Sequence, residues 1–127
     1  MNAADTNVLV RLIERDDAEQ VALAEEFAAG GVWVSTVVLV ETLWVLQSNY
    51  DHNRVSLARI VEMLLETTSV ILQDRDAIAA ALVLFRSNSK VGFSDCLVLE
   101  LVRKAGSVPL VTFDKGLARL EGTRLLR

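Results

Sequence analysis

Four acidic residues stand in settings that suggest chemistry: Asp5 in AADTNVLV, Glu41 in TVVLVETLWVLQSNY, Asp95 in GFSDCLVL and Asp114 in LVTFDKGL. Glu41 has only Val37, Val38, Trp44 and Val45 three and four positions away, so no cation on its own helix can pair with it. Glu100 differs, with Arg103 and Lys104 at those spacings. An unpaired carboxylate is costly to bury, so Glu41 calls for a distant arginine, a metal ion or a place at an exposed edge. Asp5 and Asp114 each end an apolar, strand-like run, where a side chain points into the crevice at a strand's carboxyl end. Asp95 opens a helical pattern. Helix capping accounts for any one of these three aspartates equally well. Together with Glu41, however, they form a set of carboxylates whose convergence would be repulsive unless a divalent cation neutralised it. All-oxygen ligation suits Mg²⁺ or Mn²⁺.

Behind these acids is a chain of 127 residues that is 52% apolar, long enough for one compact domain over residues 1–127. One Cys and one His exclude a disulfide framework and a Cys/His zinc site of the usual kind. The longest uncharged apolar runs, Val32 to Val40 and Ala77 to Phe85, fall well short of the ~20 residues of a membrane span. No secretory signal is read in Met1 to Asp17, and the expected location is the cytoplasm. The formal charge is −4, with residues 86–127 basic (eight Lys and Arg against four acids) and the rest acidic. Solvated helix faces explain such a segment, but it could also face a phosphate backbone.

Alternating short apolar strands and helical patterns predict an α/β fold. Strands are expected at Asn2 to Asp5, Val32 to Val34, Ser69 to Leu72, Pro109 to Thr112 and Arg124 to Leu126. Helices are expected after Asp5, from Asp16 to Gly30-Gly31, from Ser35 or Thr36 to about Tyr50, from Asn53 through Leu65, from Asp74 through Phe85, and from Ser94-Asp95 to Ala105. The expected architecture is a three-layer sandwich, a mostly parallel central sheet with helices on both faces.

DTNVLVR (Asp5 to Arg11), STVVLVETLWVL, FSDCLVLE and VTFDKGLARLEG occur in an order that resembles the PIN-domain ribonucleases, specifically the VapC-type toxins of bacterial toxin–antitoxin pairs. The resemblance covers nearly the whole chain. It implies that Asp5, Glu41, Asp95 and Asp114 form an acidic quartet that holds Mg²⁺ or Mn²⁺, with Asn7 and Thr112 as supporting neighbours. Gly92 stands where relatives often carry a further acid, so four acids are implied rather than five. The implied activity is endonucleolytic cleavage of RNA that leaves a 5′ phosphate. Because the acids repel such a substrate, Arg86, Lys90, Lys115 and Arg119 are the candidate backbone contacts. The resemblance also implies a homodimer and a cognate antitoxin protein that packs over the helices. The apolar helix from Thr36 to Leu46 and the helix from Val55 to Leu65 are the candidate dimer surface.

Other readings remain at this stage. His52 reads as a solvated loop residue, Trp33 and Trp44 as core or interface side chains, and Cys96 as buried packing. A phosphoacceptor receiver module would need a second acid directly after Asp5, where Thr6 stands, and a dehalogenase-like phosphatase would need one at Asn7. A catalytically inactive PIN-like adapter would not require all four acids. Divalent-dependent ribonuclease activity separates these readings.

Overall fold

The computed structural model describes residues 1–127, which divide into two compact units, Met1–Arg75 and Asp76–Arg127. In the first unit, β1 (Asn2–Ala3), β2 (Val32–Val34) and β3 (Val70–Leu72) form a parallel sheet with β2 in the middle. β2 buries Val32 and Val34 and β3 buries their register partners Val70 and Leu72, whereas the paired Trp33 and Ile71 between them are exposed. Parallel neighbours cannot be joined by a hairpin, so helices make both crossovers. α1 (Thr6–Glu14) and α2 (Ala18–Ala28) connect β1 to β2, while α3 (Thr36–Asn49) and α4 (Arg54–Glu66) connect β2 to β3. α1 packs on α2 and α3, and α4 packs on α3 and β3.

Each of these helices begins at a polar side chain that accepts an otherwise unpaired amide. Asp5 caps α1, Ser35 Oγ accepts from Val38 N–H to cap α3, and Asn53 Oδ1 accepts from Ser56 N–H to cap α4. α2 is capped by Asp17, which accepts from Gln20 N–H, and not opened by Asp16 as expected; Asp16 is bound instead to Arg11. Gly31, at φ +95°, makes the turn from α2 into β2, a conformation that other residues rarely adopt.

α3 is apolar around most of its circumference, but only Leu39, Thr42, Leu43 and Leu46 are buried. Their spacing of three, four and seven residues forms one stripe. Among them Thr42 is completely buried, and its Oγ1 has no hydrogen-bond partner.

In the second unit, α5 (Arg75–Ser87) buries Ala77, Ile78, Ala81, Leu82 and Phe85, and α6 (Phe93–Lys104) buries Phe93, Cys96, Leu97 and Leu99. Phe85 and Phe93 meet edge to face, with ring centroids 5.7 Å apart. Lys104 Nζ reaches Asp76 Oδ1 at 2.8 Å, linking the end of α6 to the start of α5. β4 (Leu110–Thr112) and β5 (Thr123–Leu125) pair in parallel, connected through a short 3-10 turn at Leu117–Arg119 that the sequence pattern did not anticipate. The expected strand and helix positions otherwise match the structure to within a few residues, and Cys96 is buried as expected.

The unbonded Thr42 hydroxyl carries a desolvation cost that a methyl group of similar shape does not. Thr42→Val is expected to stabilise the protein by about 1 kcal/mol, a rise in Tm of roughly 3–5 °C for a chain of this size. An unchanged or lowered melting temperature would show that the hydroxyl is satisfied in solution.

Candidate active site

In the first unit the ladder between β1 and β2 continues through Ala4 N–H, which donates to Trp33 C=O at 3.0 Å, and the chain then turns into α1 at Asp5. Asp5 Oδ1 accepts from Val8 N–H at 3.1 Å, while Oδ2 accepts no hydrogen bond. The exposed Asp5 carboxylate and Asn7 open onto a cleft of about 340 Å³, whose walls include Val8, Leu23 and Phe27. Arg11 lies at the same cleft but is fully engaged: Nε donates to Gln20 Oε1 at 2.6 Å, and Nη1 donates to Asp16 Oδ1 at 3.0 Å and to Tyr50 Oη at 3.1 Å. Tyr50 in turn donates to Asp16 Oδ2. This arginine braces α1 against the start of α2 and the end of α3.

Glu41 is exposed on α3, without a hydrogen bond or ion pair. Of the placements left open for Glu41, the structure has the exposed one, with no arginine paired to it. The sequence could not separate these cases, because α3 has apolar residues on every face. Glu41 lies off the buried stripe, beside Val37 and Trp44, which are 71% and 64% exposed. His52 is also not a free loop residue. It pairs with Glu14 near the end of α1 and with Ser56 on α4. That partnership spans many residues in sequence, so no local pattern announces it.

In the second unit, Asp95 sits in the first turn of α6, half-buried and without a hydrogen bond or cation partner. Burial pushes its pKa above the ordinary aspartate value of 3.8, and the negative charge of Asp114 pushes it further the same way. Asp114 follows β4. Its Oδ1 accepts from Gly116 N–H at 2.8 Å and Leu117 N–H at 3.1 Å, while its own N–H donates to Thr112 Oγ1 at 2.9 Å. Thr112 thus orients the turn that carries Asp114. A cleft of about 240 Å³ lies beside this turn, lined by Ser87, Ser89, Lys90, Gly116 and Arg119 among others. Of the four expected substrate contacts, Lys90 and Arg119 share that cleft; Arg86 is exposed in the last turn of α5 and Lys115 is exposed next to Asp114. The sequence named both cleft cations but gave no reason to join them, because they lie on separate loops.

In neither unit do three or more His, Cys, Asp or Glu side chains form a group that could hold a metal. The second unit does bring two carboxylates close enough for one to raise the pKa of the other. An oxygen donor set with surplus negative charge and an unbonded, half-buried carboxylate fits a hard divalent cation.

The family model described as the PIN domain matches residues 3–122, so the chain belongs to the PIN-domain family. PIN domains are in general metal-dependent nucleases. Among curated proteins, none matches the chain. The family assignment separates the chain from the receiver and phosphatase alternatives. No helix is long and apolar enough to cross a membrane.

The raised pKa of Asp95 has a definite sign. The folded state holds this proton more tightly than the unfolded chain, so the group's contribution to stability falls as pH rises from about 3.8 through the folded-state value. In EDTA, Asp95→Asn is expected to melt higher than wild type at neutral pH, and the two melting temperatures should converge as pH falls below about 4. A difference independent of pH would show that ionisation of Asp95 is not the cause.

Proposed function

We propose that the protein is an endoribonuclease of the VapC type, the toxin of a toxin–antitoxin pair, acting in the cytoplasm as one PIN domain over residues 1–127. Asp5, Glu41, Asp95 and Asp114 are the proposed ligands of Mg²⁺ or Mn²⁺. The observation that carries this reading is Asp95: half-buried, without a donor or cation partner, and held toward its protonated form by burial and by Asp114. A purely structural acid in that position would gain by having a partner. A divalent ion in such a site supplies an acidified water and stabilises the leaving oxygen of a phosphodiester.

The chain's own residues then divide the work. Asp5 and Asp114 each commit Oδ1 to a turn and have Oδ2 left for ligation. Glu41 and Asp95 orient the attacking water or accept its proton. Asn7 and Thr112 support the two aspartates, Thr112 through its bond to Asp114 N–H. Arg86, Lys90, Lys115 and Arg119 supply positive charge for the RNA backbone. A homodimer that buries α3 and α4 would cover the exposed Val37, Trp44, Val55 and Met63, and an antitoxin protein is the expected regulator.

Purified protein is expected to cleave RNA with Mg²⁺ or Mn²⁺ and not with EDTA. Asn caps a helix about as well as Asp, so Asp5→Asn should retain the fold while losing on the order of 100-fold or more in cleavage rate. Expressed in bacteria without an antitoxin, wild type should arrest growth and Asp5→Asn, at equal protein level, should not. Equal activity of the two proteins would remove the metal-site reading.

Light scattering should report a dimer at tens of micromolar, shifted toward monomer by Trp44→Glu. A wild-type monomer at that concentration would exclude the α3 and α4 interface.

A further inference from the structure

We propose that Lys90 and Arg119 bind a phosphate of the RNA strand in their cleft and that Phe113 stacks on a base of the same strand, which deepens the nuclease reading and rests on it. The cations of the second unit are not equivalent. Arg103 is committed to Glu100 and to the Glu121 carbonyl, and Lys104 to Asp76. Lys90 and Arg119 have no acidic partner, yet both line one cleft together with Ser87 and Ser89; the Ser87 hydroxyl donates to the Val83 carbonyl, which leaves Ser89 as the uncommitted hydroxyl. Gly116 keeps this cleft open: a Cβ there would lie 3.2 Å from Asp114 Oδ1 and 3.8 Å from the Lys90 carbonyl. The cleft therefore adjoins the turn that carries a proposed ligand. Two unpaired cations beside a free hydroxyl suit a phosphate, whereas the adjacent carboxylate would repel an anion that had no cation to meet it.

Phe113 is the second observation. It is 76% exposed, more than any other large apolar side chain of the protein. It is also held in a fixed segment: Asp114 N–H donates to Thr112 Oγ1, the Gly116 and Leu117 amides donate to Asp114 Oδ1, and Leu126 N–H donates to the Thr112 carbonyl. A solvent-facing ring on this fixed backbone, one residue from a proposed catalytic acid, gains nothing from the core. Single-stranded nucleic acid is gripped by this combination, cationic grooves for the backbone and aromatic faces for unstacked bases.

The test measures binding of labelled single-stranded oligouridylate to the full-length chain in EDTA, by fluorescence anisotropy across a range of salt concentrations. Lys90→Ala and Arg119→Ala should each weaken binding and each flatten the log–log salt dependence by about 0.7. Phe113→Ala should weaken binding by roughly 5- to 100-fold, and Phe113→Trp should restore it. On an abasic oligomer of equal length, Phe113→Ala should bind like wild type, which a fold defect would not allow. Variants that bind oligouridylate as wild type does, or a Phe113→Ala loss of equal size on the abasic strand, would overturn the subsite. Because no cleavage enters the measurement, the outcomes stay distinct: binding with these losses but no Mn²⁺-dependent cutting sinks the nuclease reading alone, and cutting with unaltered variant binding sinks the subsite alone.

Discussion

A carboxylate has two oxygens, and much of this structure depends on how Asp5 and Asp114 use theirs. A helix or 3-10 turn that begins directly after a parallel strand leaves amides unpaired, and the residue at the junction must accept from them. Asp5 does so for α1 and Asp114 for the turn before Leu117, in both cases through Oδ1. Capping and metal ligation looked like competing explanations of these acids. They compete only if both need the same atom. With the cap on one oxygen, the turn fixes the carboxylate and leaves the other oxygen unbonded, so the capping bond is what makes the acid a rigid ligand candidate.

Glu19, Glu26 and Glu121 are exposed and have no cation partner, so what sets Asp95 apart is partial burial without one. Asp16 is met by Arg11 and Tyr50, Glu25 by Arg15, Glu14 by His52 and Glu100 by Arg103. The exposed pairs add little stability each, but Glu14 and Glu100 are partly buried, as Asp95 is, and each has a partner. Asp95 receives none and has Asp114 as a neighbour instead, an arrangement that costs free energy whenever both are ionised. Uncompensated like charge of this kind is a recurrent mark of functional sites.

Local pattern accounts for what the sequence made legible. Helix starts at Ser35 and Asn53, the turn at Gly31 and the strands at Val32 and Val70 follow from short-range capping, glycine geometry and apolar runs. The motifs around Asp5 and Asp114 were equally local. What could not be read depends on contacts distant in the chain or on a choice between equivalent faces. His52 finds Glu14 across 38 positions, and Lys90 and Arg119 share a cleft only because two loops fold together. The exposure of Glu41 belongs to the second kind, since an all-apolar helix gives no preference for which stripe turns inward until its neighbours are in place.

The exposure of Glu41 also constrains any partner of α3. Val37 and Trp44 flank Glu41 on the exposed side of the helix, so a chain that buries the two apolar side chains must either desolvate the carboxylate or bring a group that satisfies it. Burial without a partner would leave the carboxylate's desolvation uncompensated, whereas a cation from the partner would occupy the carboxylate directly. Both routes couple association on this face to the state of a proposed catalytic acid. An interface that left Glu41 at a wet rim would escape the coupling, but it would have to cover Val37 and Trp44 from one side only, and these residues lie one turn before and one turn after Glu41 along the same face. The apolar surface and the acid are therefore a single physical feature of α3, and binding there cannot be neutral toward the chemistry.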